Sequence, residues 1–371
     1  MRRALVVVAV LVMVVARGEV FAEQSITIAT HWTPSDVGHY RILQDAVDEY
    51  MKLNPGVLID IVASRSGSSV LWEMFLVQTA AGTPPDLMQL HTDYIAEYYP
   101  AFQPVPRMIT ELMRQMFYPA ALEMVTIEGE YRAIPTEFQV KGVVHNQVMF
   151  AEAGVAPLTA DPISWDQFWD TAAKLTRVDP DGQVRQSGFA YGEAQHFRTM
   201  LVADGYDVIT ADGDPLLNSP QMLRLVTQWK ERVDQGIIAR EESWPQGSWH
   251  DIHQRRSAMI IMPPWIRDTL VTSDPDGYFA NNYVSTPVPY GALGVPRLRV
   301  YGWGWVVPNV ARNPELAWDF LIWLNFNVQE SGTTRMGDVM AAPGIASRHL
   351  RRFSAPAEHD RAVHARLYES A

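Results

Sequence analysis

Residues 25–62 read SITIATHWTPSDVGHYRILQDAVDEYMKLNPGVLIDIV and carry three secondary-structure signals in succession. Residues 25–28 alternate apolar and polar side chains, which is typical of a half-buried strand. One face of a helix then collects the apolar and aromatic residues Leu43, Ala46, Val47, Tyr50 and Met51. Pro55-Gly56 ends this helix, and residues 57–62 alternate again. The stretch therefore predicts a strand–helix–strand unit.

A second unit of the same kind follows between residues 71 and 90. Leu71, Met74 and Phe75 share a helix face, Pro84-Pro85 ends the helix, and residues 87–90 resume as a strand. Consecutive strands joined by helices run parallel in one sheet. The N-terminal region therefore predicts a parallel α/β sheet.

Later segments carry similar signals. Ser164 is followed three residues later by Gln167, the spacing of a capping box, and Asn313-Pro314 begins another helix. Residues 258–262 form a short apolar run, and residues 301–307 predict a strand. These elements extend the α/β pattern to about residue 325.

The N-terminus has the three regions of a secretory signal peptide. Two arginines follow Met1, an apolar run of about 13 residues spans 4–16, and Val20 and Ala22 fit the small positions before a cleavage site. The run is shorter than the roughly 18 residues that a membrane-spanning helix needs. We expect residues 1–22 to be removed, so that the mature protein begins near Glu23.

The composition argues against several classes of site and partner. The chain has no cysteine, which removes disulfides, thiolate metal sites and the lipid-acceptor cysteine of a lipoprotein. We therefore expect a free periplasmic protein. The formal charge of −12 makes nucleic acid and anionic lipid poor partners.

Several short motifs occur in a specific order between residues 25 and 343. They are Ala80-Ala81-Gly82-Thr83-Pro84-Pro85-Asp86, Val144-His145-Asn146, Ser164-Trp165, Pro264-Trp265 and Gly302-Trp303-Gly304. In this order they resemble the family 1 extracellular solute-binding proteins, the maltose-binding-protein-like components of ABC transporters. The resemblance implies an α/β periplasmic-binding-protein fold, type II-like, with a ligand cleft between two lobes and a hinge that the chain crosses more than once. It implies a first lobe of residues 23–136 and 287–338, and a second lobe of residues 138–286 and 342–371.

Aromatic side chains are candidates for the cleft because a sugar ring presents flat apolar faces. Trp265 stands where this family often places a stacking aromatic. Trp32 and Trp303 are candidates as well, with core packing as the alternative for each. Trp303 and Trp305 lie on one predicted strand, and we expect only one of them to face the cleft.

Polar candidates come from strand ends and from the predicted lobe crossing. Glu137 resembles a known hinge-side ligand carboxylate, and a hinge salt bridge is its alternative role. His91 and Asp93 follow the third strand and Arg65 follows the second, at the edge that faces the ligand crevice in α/β sheets. The second lobe contributes a segment that often faces ligand in this family, with a solvated loop as the alternative: Tyr191, Glu193 and His196.

Catalytic and metal-binding patterns are missing from the sequence. It contains no G-x-S-x-G, Walker, G-x-G-x-x-G or H-E-x-x-H motif, so we expect neither an enzyme nor a cofactor. The resemblance implies a monomer that closes on a small solute, a sugar above all, and presents it to ABC permease subunits in the membrane. A polyol or glycerol phosphate is an alternative solute, and a secreted carbohydrate-active enzyme is the alternative class.

Overall fold

A computed structural model describes residues 24–35, 38–64, 67–190, 194–206, 208, 215–239, 252, 254–263, 270–271, 274, 276–295, 297–298 and 300–326. The side chains of residues 194–196 are outside the description. Within these ranges no helix is long and apolar enough to span a membrane. The predicted signal peptide, Trp265 and the expected C-terminal part of the second lobe lie outside the described residues.

The first sheet is mixed and has the strand order β2-β1-β3-β12-β6. Its strands are β1 (Gln24–Thr30), β2 (Val57–Ala63), β3 (Leu87–His91), β6 (Ile134–Gln139) and β12 (Tyr301–Val306). The small hairpin β4 (Thr126–Ile127) and β5 (Glu130–Tyr131) precedes β6. The helices of this lobe are α1 (His39–Leu53), α2 (Gly67–Ala80), α3 (Thr92–Tyr98), the 3-10 turn Tyr99–Ala101, α4 (Arg107–Met116), α5 (Pro119–Glu123) and α11 (Pro314–Phe326). One apolar core joins the sheet to these helices.

The second sheet has the order β11-β7-β10-β9-β8 and separate cores on its two faces. Its strands are β7 (Gly142–Asn146), β8 (Arg177–Val178), β9 (Val184–Phe189), β10 (Ser257–Met262) and β11 (Tyr283–Thr286). Its helices are α6 (Gln147–Glu152), α7 (Trp165–Leu175), α8 (Ala194–Ala203), α9 (Pro220–Asp234) and α10 (Tyr278–Asn282). The chain thus folds around two sheets, as the two-lobe expectation requires.

The crossings between the sheets fall later than the sequence analysis placed them. β6 stays in the first sheet to Gln139, and β7 begins the second at Gly142, so the first crossing lies at residues 140–141 rather than at 137. On the return, Tyr290 bridges to Ser164 and Leu298 packs on the second core. The described residues from Pro287 to Leu298 therefore pack with the second lobe, and the chain re-enters the first at about residue 300.

The expected elements are present with small shifts of their ends. Ser164 and Gln167 form the capping box of α7, and the buried face of α1 contains Leu43, Ala46, Val47 and Tyr50 as expected. β1, β2 and β3 are parallel, but β12 is antiparallel to β3 and β6. Strand–helix alternation predicts only the parallel part, because β12 arrives from the other lobe and not through a crossover helix.

The two glycines of β12 allow it to lie between β3 and β6. A Cβ atom on Gly302 would lie 2.0 Å from the backbone oxygen of Glu137, and one on Gly304 would lie 2.8 Å from the Cβ of Ala133. The ladder with β6 shifts at this point, so that Thr136 has no partner residue on β12. Thr136 instead accepts a hydrogen bond from Nε2 of Gln89 (3.1 Å), which ties β6 to β3.

Asp86, at the end of the turn before β3, is fully buried and joins three segments. One carboxylate oxygen accepts the backbone N–H of Thr27 (3.0 Å), and the other accepts those of Arg312 (2.7 Å) and Asn313 (2.9 Å). A buried carboxylate is tolerated where several N–H groups replace its water. Asp86 therefore fixes the start of α11 against β1.

His145 is a buried titratable group at the centre of the second sheet. It lies on β7 between Met259 of β10 and Val284 of β11, and its ring is 4.9 Å from that of Phe150. Neither ring nitrogen has a hydrogen-bond partner, and burial lowers the pKa of His145 from 6.5 to about 4. The folded protein therefore holds this imidazole neutral.

Replacing His145 with Leu should make the protein more resistant to mild acid. Between pH 6.5 and 4 the unfolded chain binds a proton at His145 that the folded chain does not, so stability falls as the pH falls through this window. At pH 5 the loss amounts to about 2 kcal/mol, and the variant avoids it. Thermal melts at pH 5 and pH 7.5 should show a larger gain for the variant at pH 5. Parallel pH profiles for the two proteins would contradict this.

Candidate functional site

The candidate site lies at the carboxyl-terminal edge of the first sheet. β1 and β3 end at this edge, β12 begins there because it is antiparallel, and β6 ends beside it. The side chains that emerge at this edge therefore come from segments far apart in sequence. This edge is where ligands bind in open α/β sheets.

Trp303 lies at the centre of these side chains. In the ladder it is opposite His91 on β3 and Glu137 on β6. The imidazole of His31, which follows β1, stacks on the indole of Trp303 with ring centroids 3.6 Å apart and an interplanar angle of 18°. The ring of His91 meets the indole edge-on at 5.6 Å. We call His31, His91, Glu137 and Trp303 the edge cluster.

Glu137 supplies the carboxyl group of the edge cluster. Its Oε1 is 3.8 Å from Nε2 of His31, and its side chain is 18% exposed. Burial raises the pKa of Glu137 to about 7, although a hydrogen bond from Gln139 acts in the opposite direction. Near neutral pH this carboxyl group exists in both protonation states, so it can either accept or donate a hydrogen bond.

His91 connects the edge cluster to the start of α3. The backbone N–H of Asp93 donates a hydrogen bond to Nδ1 of His91 (3.3 Å), so this imidazole caps the helix. An accepting Nδ1 assigns the hydrogen of the neutral ring to Nε2. The Asp93 carboxylate lies 3.4 Å from Nδ1 and is half-exposed.

A cavity of about 180 Å³ opens next to the edge cluster. Its first-lobe lining is His91, Asp93 and Tyr301, and α8 of the second lobe contributes Arg198 and Thr199. The two crossings between the lobes contribute Lys141 and Leu298. We call this space the cleft pocket. It brings residues of both lobes together, as a ligand cleft must.

The structure places four of the candidate residues at the site and one in the core of the first lobe. Glu137, Trp303, His91 and Asp93 lie at the edge cluster or the cleft pocket. Trp32 was a candidate for the cleft, and the structure corrects this: it is 4% exposed, stacked on His39 and edge-on to Trp305. Its backbone N–H donates a hydrogen bond to Oγ1 of Thr30 (3.2 Å), and its side chain packs in the core of the first lobe.

Trp303 and Trp305 differ as expected, but for a different reason. Trp305 is fully buried, whereas Trp303 is partly exposed at the sheet edge. Residues two apart on a strand point to the same face, so the two rings differ in depth along the strand and not in the face they occupy.

The remaining candidates lie outside what the structure describes. These are Arg65, Tyr191, Glu193 and Trp265, together with the side chain of His196, whose backbone belongs to α8. Within the described ranges, no three histidine or carboxylate side chains come close enough to hold a metal ion.

Sequence reasoning missed the residues that complete the site. His31 follows β1 just as His91 follows β3, so the rule that selected His91 also applied to it. Lys141, Arg198 and Tyr301 had no such signal. Lys141 and Tyr301 lie at the two crossings, which no local pattern marks, and Arg198 lies on α8.

Comparison with known proteins identifies the family. The family model described as bacterial extracellular solute-binding protein matches residues 34–329, most of the chain. The chain belongs to this family. It is a solute-binding component of an ABC transporter, a class that takes a small-molecule ligand, works with membrane permease subunits and acts in the periplasm or outside the cell.

Individual relatives are similar over most of this chain. An uncharacterized ABC transporter extracellular-binding protein of Pyrococcus horikoshii is 26% identical over 82% of this chain and 67% of its own length. The maltotriose-binding protein of Pyrococcus abyssi is 27% identical over 80% of this chain and 62% of its own length. The solute-binding protein described here thus spans about two thirds of the length of these relatives.

A solved structure supports the fold. The ABC substrate-binding protein of Listeria monocytogenes in complex with cycloalternan matches with a TM-score of 0.69 at 16% identity, over 93% of this chain and 87% of that one. At this identity the similarity shows the shared two-lobe α/β architecture.

Replacing Glu137 with Gln should stabilise the protein at alkaline pH. The folded state keeps the Glu137 proton up to about pH 7, whereas the unfolded state releases it near 4.5, so stability falls as the pH rises through this window. Gln has no charge to desolvate and should add about 2 to 3 kcal/mol at pH 8. Melts at pH 8 and pH 4 measure the difference. Glu73→Gln, on the exposed face of α2, is the matched control. An equal effect of Glu137→Gln at both pH values would contradict the desolvation account.

Proposed function

We propose that this solute-binding protein captures a sugar or oligosaccharide between its lobes for import. The observation that carries the proposal is the edge cluster, in which a partly exposed indole stands beside a carboxyl group and two imidazoles. An indole face covers the C–H face of a sugar ring, while carboxyl and imidazole groups bond its hydroxyls. This combination matches a polar ligand with flat apolar faces.

The names of similar proteins support the same ligand class. The Pyrococcus abyssi relative is a maltotriose-binding protein, and the Listeria monocytogenes structure contains cycloalternan. Both ligands are oligosaccharides. These similarities favour a saccharide over a polyol for this chain, and they leave the particular sugar to experiment.

The proposed contacts include residues on both lobes. Trp303, Glu137, His91 and Asp93 are contacts from the first lobe. To these we add the candidates that lie beyond the described residues or side chains: Trp265, Arg65, Tyr191, Glu193 and His196.

The protein captures its ligand by closing, because the ligand contacts both lobes. Such a ligand stabilises a closed arrangement through contacts that the open arrangement lacks. The permease then distinguishes the closed form. We further propose that the protein acts as a monomer and is exported by cleavage after Ala22.

We propose that the protein binds the saccharide without hydrolysing it. Glycoside hydrolysis uses two carboxyl groups that flank the scissile bond. Glu137 and Asp93 both lie at the candidate site, so the presence of carboxyl groups does not decide between binding and hydrolysis, and the match to a family of solute-binding proteins is what favours binding. Incubation with maltotriose and mannotriose should therefore produce no new reducing ends, while the same sugars raise the melting temperature if they bind. Release of reducing ends that is lost in Glu137→Gln would contradict the binding role.

Replacing Trp303 with Ala should weaken saccharide binding. Loss of a stacked aromatic removes contact worth about 1 to 3 kcal/mol, which is roughly a tenfold to hundredfold rise in Kd. A thermal-shift panel of saccharides selects the ligand, and calorimetric titration then measures the Kd. Trp72→Ala is the matched control, since Trp72 stacks on Tyr98 at 4.1 Å on the outer helices. We expect this control to lower stability and to leave the Kd unchanged. Wild-type affinity in a folded Trp303→Ala variant would overturn the role of the edge cluster.

A further inference from the structure

The charges in the cleft pocket differ from those of the chain as a whole. The chain carries a formal charge of −12. The described lining of the pocket contains the cations Lys141 and Arg198 and the single carboxylate Asp93. An acidic protein thus has a pocket whose lining is positive, and this is the complement of a negatively charged ligand group.

The hydrogen-bonding groups of the pocket are mainly donors. Lys141 offers N–H groups only, and so does the guanidinium of Arg198. His91 adds a donor, because its Nδ1 already accepts the N–H of Asp93 and its hydrogen is therefore on Nε2. Neutral sugar hydroxyls both donate and accept, whereas carboxylate and phosphate oxygens only accept. The donor excess favours an oxyanion.

The two cations approach the pocket from different parts of the fold. Lys141 lies on the first crossing, with its Nζ 5.9 Å from the centre of the Tyr301 ring, and Arg198 projects from α8 of the second lobe. A single ligand group that contacts both would join the hinge to the second lobe. Its charge would then favour the closed state directly.

We propose that the saccharide bound by this protein carries an anionic group, a carboxylate or a phosphate, which Lys141 and Arg198 hold in the cleft pocket. The inference rests on the proposed saccharide-binding function and adds a substrate class to it. The sugar ring stacks at the edge cluster, and its charged substituent enters the pocket. His91 belongs to both the edge cluster and the cleft pocket, and it orients the charged substituent relative to the stacked sugar ring. A volume of about 180 Å³ has room for the charged substituent of one sugar unit.

Matched pairs of charged and neutral sugars test the inference. Calorimetric titration compares galacturonate with galactose, glucuronate with glucose, and glucose 6-phosphate with glucose. At least one charged member should bind at least tenfold more tightly than its neutral partner. Its Kd should rise when the salt concentration increases from about 50 to 500 mM, because screening weakens the charge contact. Tighter binding of a uronate would identify the anionic group as a carboxylate, and tighter binding of glucose 6-phosphate would identify it as a phosphate.

Two charge-removing variants locate the effect. Lys141→Gln and Arg198→Gln should each raise the Kd of the charged sugar about tenfold to a hundredfold and change that of the neutral partner little. Arg41→Gln removes an exposed cation on α1 and should change neither. Thermal melts verify that the variants fold, and the salt dependence of the unmodified protein is a readout that needs no variant.

Several results would overturn the inference. If neutral sugars bind as tightly as their charged partners, the anionic class is wrong while the saccharide function stands. Equal losses for charged and neutral sugars in Lys141→Gln and Arg198→Gln would also refute it. If no saccharide of either class binds, both the inference and the proposed function fail.

Discussion

The insertion of β12 between β3 and β6 is the constraint on which the first lobe depends. It requires glycine at positions 302 and 304, because a side chain there would collide with the neighbouring backbone or core. On the opposite face of the same strand, Trp303 reaches the sheet edge and Trp305 fills the interior. The same strand therefore completes the sheet and places the indole of the candidate site. A change in its register would disturb both.

Burial of titratable groups links the stability of this protein to its function. Glu137 has a raised pKa because it sits beside Trp303 and the imidazole of His31, with little contact with water. A sugar hydroxyl could supply the hydrogen bonds that water no longer supplies. The free protein thus keeps a desolvated carboxyl group that costs stability and that a ligand can satisfy. His145, in contrast, is buried between the strands of the second sheet, and its desolvation costs stability at a position that lines neither the edge cluster nor the cleft pocket.

The sequence predicts the elements of this fold better than their connections. Periodicity was enough to locate α1, β2, β3 and α7, because their apolar faces repeat at helical or strand spacing. The antiparallel β12 and the crossings at residues 140–141 and about 300 depend on contacts between distant segments. For the site, strand-end logic and the family resemblance selected Glu137, His91 and Trp303. Trp32 shows where the choice of aromatic residues fails, since its side chain packs in the core.

The hydrogen bonds of Asp86 have a consequence for how the protein folds. They join Thr27 to Arg312 and Asn313, so residues about 285 positions apart in sequence must meet before the first lobe is complete. Contacts of such long sequence separation slow folding, since the loop must close before the contact forms. The described part of the second lobe lies within that loop and can assemble earlier. The first lobe should therefore mature after the described part of the second lobe, once the backbone N–H groups of Arg312 and Asn313 can reach Asp86.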